Sequence, residues 1–213
     1  MKPKSLPAFL SGLLILWLSS AYVFAFELKV VDQNGEPVNN AFVALPEGSI
    51  AQPNPEPAIM DQVQVKFVPH VLAIEVGQAV IFPNSDNIRH HVYSFSEPKQ
   101  FEIKLYQGVP KTPIAFNQPG LVALGCNIHD SMLGYIYVSP WPEFQVTGES
   151  GMATLSKPTN TVAVWHPWIK GLTEPLMIDL TPQLEQNLVT ITLNLNKPKA
   201  PKTFKSFKKR YDD

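Results

Sequence analysis

The chain has 213 residues, 45% of them hydrophobic and 16% charged, with a formal net charge of -1. That balance excludes a polycation that binds nucleic acid through bulk charge, and the apolar share excludes disorder throughout. The 21 prolines speak against a helical fold, because each interior proline removes a helix hydrogen bond and clashes with the preceding turn. An all-β chain is expected.

Lys2 and Lys4 precede an almost unbroken apolar run from Ala8 to Leu18, and Val23-Phe24-Ala25 offers modest side chains for signal peptidase. Residues 1–25 read as a secretory signal cut after Ala25; a retained membrane anchor is the other reading, since the run approaches the ~20 residues of a span. No second apolar run of that length follows. The mature chain is therefore expected to be exported, to the periplasm or beyond, with no stable membrane insertion after cleavage.

Behind the signal, Glu27 to Val31 alternates, Asp32-Gln-Asn-Gly35 signals a turn, and Val38 to Leu45 resumes, which predicts an opening hairpin. Residues 46–58 carry four prolines and read as a linker. Short strands are then expected at Val63 to Phe67, Val71 to Val76, Ala79 to Phe82, Val92 to Phe95, Phe101 to Leu105, Ile114 to Phe116, Leu121 to Leu124 and Tyr135 to Val138. After Pro140-Trp-Pro142 come Phe144 to Val146, a turn at Gly148 to Gly151, Thr161 to Trp165 and Leu188 to Leu195. The first and last groups are each too few to close a core. Residues 26–50 and 141–196 are therefore expected to join into one small β-sandwich, with a second β domain, residues 59–139, inserted between them.

Charge divides unevenly along the chain. Residues 26–195 hold 8 Lys and Arg against 16 Asp and Glu, while residues 196–213 hold 7 against 2. The segment 197–213 is expected to be a disordered basic tail, read first as a solubilising end and second as an arm steering toward an acidic surface.

Cys126 has no second cysteine to pair with. In an exported chain that leaves a buried inert thiol, an intermolecular bridge, a reactive thiol or a metal ligand. Its surroundings are Gly125-Cys126-Asn-Ile-His129-Asp-Ser-Met132-Leu-Gly134. A Cys, a His and a Met at this spacing cannot share one face of a strand, but a tight loop can wrap all three around one point. Thiolate, imidazole and thioether are soft to borderline donors, and two His, one Cys and a weak axial Met describe a blue-copper centre. His90 and His91 are the candidates for the remaining imidazole. His91 shares a strand face with Tyr93 and Phe95, aromatics suited to a core-facing side, and it is kept as the alternative to His90.

The region from Gln62 to Val138 resembles the cupredoxins, most closely amicyanin and the plastocyanin-like proteins associated with methylamine utilisation. Pro119-Gly120, Cys126, His129, Met132 and Gly134 stand at the spacing of that family's copper loop, followed by the Gly-Tyr-Ile-Tyr-Val strand. Val76-Gly77-Gln-Ala-Val80-Ile-Phe82-Pro-Asn84 with His90 looks like its upstream segment. The resemblance implies a Greek-key sandwich holding one type 1 copper per chain, with His90, Cys126, His129 and Met132 as ligands and Asn84 tying the two loops together. Where relatives place Pro two residues after the Cys, Ile128 stands, and Leu124 and Gly125 replace the usual aromatics before it. Gly35-Glu-Pro37-Val-Asn-Asn-Ala41-Phe-Val43 looks like the opening hairpin of carboxypeptidase-regulatory-like sandwiches.

These resemblances imply a small electron carrier between redox partners, a dehydrogenase or a cytochrome, and not an enzyme. No Ser/His/Asp set or phosphate-cradling glycine loop is evident. Two other classes stay open: a copper-handling protein without electron exchange, and a β-sandwich binding module that has lost copper. His70 and Met60 read as strand-edge residues or members of a second metal site, and His166 reads as part of a packed aromatic corner.

Overall fold

The computed structural model describes residues 26–50, 52–171, 173–184 and 188–197; residues 1–25, expected to be a secretory signal, and residues 198–213 lie outside it. The described residues are all-β apart from one short 3-10 turn at Thr181–Gln183. In chain order the strands are β1 (Phe26–Asp32), β2 (Phe42–Ala44), β3 (Ala58–Ile59), β4 (Asp61–Gln62), β5 (Phe67–Val68), β6 (Val71–Glu75), β7 (Ala79–Ile81), β8 (His90–Ser96) and β9 (Lys99–Tyr106). They continue as β10 (Ile114–Ala115), β11 (Gly120–Gly125), β12 (Leu133–Ser139), β13 (Phe144–Val146), β14 (Met152–Leu155), β15 (Thr161–Trp165), β16 (Leu176–Asp179) and β17 (Val189–Leu193).

The strands pair in two groups. β14-β1-β17 and β13-β2-β15-β16 form facing sheets from the two ends of the chain, while β6-β12-β11-β8-β9, β10-β7-β3 and the β4-β5 ribbon come from the middle. One core, with Leu28, Val43, Val162, Val164 and Ile191, fills the first group. A second, with Ile74, Val80, Val92, Val122, Leu124 and Ile136, fills the other.

A third cluster joins them: Phe42, Ala44, Val71, Tyr137, Ala163 and Trp165. Alternation along each strand explains it, because successive side chains leave opposite faces of a sheet. In β2, Val43 enters the first core while Phe42 and Ala44 face the joint; in β12, Ile136 and Val138 enter the second core while Tyr137 faces the joint. The rings of Phe42 and Tyr137 stack with centroids 4.1 Å apart. These strands are apolar on both faces because both faces are covered.

The expected opening hairpin forms only at its turn. Gly35 N–H donates to the Asp32 carbonyl at 2.9 Å, with Gly35 at φ +82, and Val38 N–H donates to the Val30 carbonyl. Beyond that point the strands part: β1 pairs with β14 and β17, and β2 with β13 and β15 in the facing sheet. A strand buried on both faces needs a partner layer on each side, and a hairpin lying in one sheet with β1 would leave Phe42 and Ala44 uncovered.

The strand expected over Val63 to Phe67 is instead a tight turn between β4 and β5. Val63 and Lys66 exchange both backbone hydrogen bonds, and Gln64 and Val65 sit at φ +52 and +60. β14 and β16 were not anticipated, whereas β17 has the expected alternation of buried and exposed residues. Lys197, expected within a disordered tail, places its ammonium 2.6 Å from the buried Asp32 carboxylate.

Candidate metal centre

The loop from Cys126 to Met132 connects the antiparallel neighbours β11 and β12. Met132 N–H donates to the His129 carbonyl at 2.9 Å, folding the loop back on itself. Two glycines bracket it. A Cβ on Gly125 would lie 2.7 Å from the Tyr93 ring, and one on Gly134 would lie 2.6 Å from Cβ of Phe67. Aromatic side chains from β8 and β5 thus lie directly across the strand ends that carry the loop.

Three donors converge beside this loop. Cys126 Sγ lies 3.9 Å from His90 Nδ1 and 3.8 Å from His129 Nδ1, and the two imidazole centroids are 5.0 Å apart. Donors bonded at about 2.0–2.3 Å to one ion, and opening roughly 110–130° at it, stand about 3.6–3.9 Å apart. The spacing therefore fits a shared metal ion. Cys126 is 4% exposed, His90 is fully buried and His129 is half-buried. Met132 is also buried and belongs to the same apolar cluster as Cys126.

His90 is oriented from outside the cluster by Asp86. Its Nε2 lies 2.7 Å from Asp86 Oδ2, and the carboxylate also accepts from Gln64 N–H at 2.6 Å and Val65 N–H at 2.9 Å. Burial pushes the Asp86 carboxyl up, but these amides and His90 outweigh it and hold the group below its ordinary value. An ionised carboxylate only accepts, so Nε2 carries the imidazole proton and Nδ1 turns its lone pair toward Cys126. The positive φ of Gln64 and of β-branched Val65 is sterically costly, and it is this turn that aims both amides at Asp86. Asp86 was missed in the sequence; its position four residues before His90 was the only signal.

His91 does not join the cluster. Its Nε2 lies 2.8 Å from Oε1 of the exposed Glu102 on β9, and its ring packs against Tyr93 at 5.6 Å. The face shared by His91, Tyr93 and Phe95 is the outer one, since Phe95 is 81% exposed while Val92 is buried in the core. The aromatics that suggested a core-facing side lie on the wrong side of the sheet for that argument.

Asn84 holds a different connection from the expected one. Its amide donates to the Ile88 and Tyr106 carbonyls, both at 2.9 Å, and its Oδ1 accepts from Asp86 N–H. Both side-chain donors are thus used in pinning the 84–88 loop to the end of β9, not in reaching the Cys126 loop. His166 accepts from Trp168 N–H at Nδ1 and donates to the Asn39 carbonyl from Nε2, the packed corner expected of it. His70 meets Tyr135 edge-on, and Met60 is buried in the second core. His90, Cys126 and His129 form the one group of three metal-binding side chains of the His, Cys, Asp and Glu types among the described residues.

No protein-family model and no curated protein matches the sequence. Among solved structures, the chain is similar to the Cu-containing nitrite reductase of Thermus scotoductus SA-01, with 27% identity over 52% of this chain and a TM-score of 0.39; the match spans 28% of that enzyme's chain. It is also similar to a purple cupredoxin from Nitrosopumilus maritimus, with 21% identity over 38% of this chain and 99% of that one, TM-score 0.34. An amicyanin variant matches with 18% identity over 46% of this chain and 98% of that one, TM-score 0.33. The chain is an all-β protein whose Cys126 thiol, His90 and His129 converge at metal-binding distances.

Proposed function

We propose that this chain is an exported type 1 copper protein that carries electrons between redox partners, in the manner of amicyanin, and is not itself an enzyme. The observation that supports this reading is the convergence of both Nδ1 atoms on the Cys126 sulfur at 3.8 and 3.9 Å, with Met132 buried beside it. Residues 59–139 would carry the site as a unit inserted in a sandwich made by 26–50 and 141–196.

Cys126 would hold copper through its thiolate, His90 and His129 through Nδ1, and Met132 through its thioether; the bound ion supplies a one-electron couple. Asp86 keeps the His90 ring in one tautomer and orientation. β11 and β12 fix the ends of the ligand loop, which limits how far the donors can move between oxidation states. His129 is the half-buried imidazole of the pair, and the exposed Ile128 and Leu133 lie in the same loop region. That apolar surface suits docking by a redox protein such as a dehydrogenase or a cytochrome.

Cu(II) titration of the purified protein, read by visible absorption and EPR, tests this reading. An intense thiolate-to-copper band at one copper per chain is expected, lost in Cys126→Ala and His90→Ala and kept in His91→Ala. A folded protein with a reduced thiol and no such band would overturn the copper reading. A copper centre without a reversible redox couple would overturn the carrier role while leaving copper handling.

A further inference from the structure

Beside the ligand loop a cleft of about 710 Å³ opens where the two strand groups meet. Its walls include Phe67, Leu133, Tyr135 and Trp168, with Lys66 and Lys170 among its exposed residues. The volume falls in the range of small-molecule sites, about 300–1,000 Å³, and mostly apolar walls with a few polar groups at a junction between folding units are typical of them.

Its chemistry is selective. No carboxylate lines the cleft, and neither Lys66 nor Lys170 has an ion-pair partner among the described residues. Two unpaired ammonium groups beside aromatic walls attract an anion carried on a flat apolar body. His70 also lines the cleft and meets the Tyr135 ring edge-on. Burial lowers its proton affinity below the usual histidine value, and a neutral imidazole carries one nitrogen that accepts from a hydroxyl. The chain's own C-terminal segment is a poor occupant, because residues 197–213 are basic and carry the same sign as the two lysines.

We propose that this cleft binds a small hydroxylated aromatic carboxylate, its ring between the aromatic walls, its carboxylate at Lys66 and Lys170 and its hydroxyl donating to His70. Such a ligand would lie against Ser131 and Leu133, the residues on either side of Met132.

The test is calorimetric titration of the metal-free protein with 4-hydroxybenzoate, so the outcome does not depend on copper. One site with a Kd below about 1 mM is expected, with amide-resonance shifts at Leu133 and Tyr135. The uncharged 4-hydroxybenzamide should bind at least about 10-fold more weakly, a cost of about 1.4 kcal/mol. The double variant Lys66→Ala/Lys170→Ala should lose the same factor while melting at the parent temperature. His70→Ala should abolish the preference for 4-hydroxybenzoate over benzoate. No saturable heat, equal affinity for the amide, or unchanged affinity in a folded double-lysine variant would overturn the proposal.

Discussion

The carboxylate of Asp86 stands 2.7 Å from Nε2 of His90, on the side of the ring opposite the Cys126 thiol. A carboxylate partner makes an imidazole a stronger donor, and removing such partners typically lowers metal affinity by about 10–100-fold. Asp86→Asn removes the charge and keeps an oxygen for only one of the two amides, Gln64 on Oδ1 or Val65 on Oδ2. We expect Cu(II) affinity to fall within that range and the reduction potential to rise, measured by competitive titration and protein-film voltammetry. A change in melting temperature with an unmoved potential would show that Asp86 is only structural.

Gly125 and Gly134 test whether the loop depends on the aromatics lying across its ends. A methyl at either position meets ring or Cβ atoms at 2.6–2.7 Å, and overpacking of this kind costs about 1–3 kcal/mol. Gly134→Ala should be the worse of the two, since the nearest atom is Cβ of Phe67, which no rotamer change can move. Gly125→Ala should be partly rescued by Tyr93→Ala, read from chemical denaturation midpoints. Equal stability of the alanine variants and the parent would contradict the packing described.

The joint between the two strand groups predicts a stability effect remote from the centre. Phe42 is fully buried against Tyr137 at 4.1 Å, with Phe144 6.0 Å away. Phe42→Ala should cost about 3–5 kcal/mol and, at copper saturation, leave the absorption spectrum unchanged. A loss below about 1 kcal/mol would mean that the joint repacks freely.

Acid should weaken the fold through His166. Burial, the largest influence, lowers its pKa from 6.5 to about 4 although its bond to the Asn39 carbonyl opposes the shift. Because the folded value lies below the unfolded one, the unfolded chain binds the extra proton between them. Stability is therefore complete above about pH 6.5 and falls by about 3 kcal/mol as pH drops through 4. Protonating Nδ1 removes the acceptor of Trp168 N–H, which gives the effect a structural cause. His166→Gln should flatten the dependence of stability on pH between 6.5 and 4, measured by urea unfolding; an unchanged slope would place the titration elsewhere.

Part of the centre is legible in the chain because it is local. Cys126, His129 and Met132 fall within seven residues bounded by glycines, too close for a strand to separate them, so any turn joining β11 to β12 gathers them. The alternation in β17 and the turn at Asp32 to Gly35 are legible for the same reason: each needs only neighbouring residues.

What remained was decided by which surfaces the tertiary structure covers. Alternation shows that His90 and His91 point to opposite sides of β8, but only the packing of Val92 into the core, with Phe95 left at 81% exposure, shows which side is inside. Asp86 acquires its role from a β4–β5 turn that aims the amides of Gln64 and Val65 at it from some twenty residues upstream. Strand propensity over Val63 to Phe67 concealed that turn. The hairpin read between Glu27 and Leu45 opens into two sheets because Phe42, Val43 and Ala44 are all apolar, and burying both of their faces outweighs the shorter-range pairing. Sequence alone determined the donor set of the loop and the all-β character of the chain; the layering of the sheets decided which histidine completes the group and which carboxylate holds it, because both depend on contacts between segments far apart in the chain.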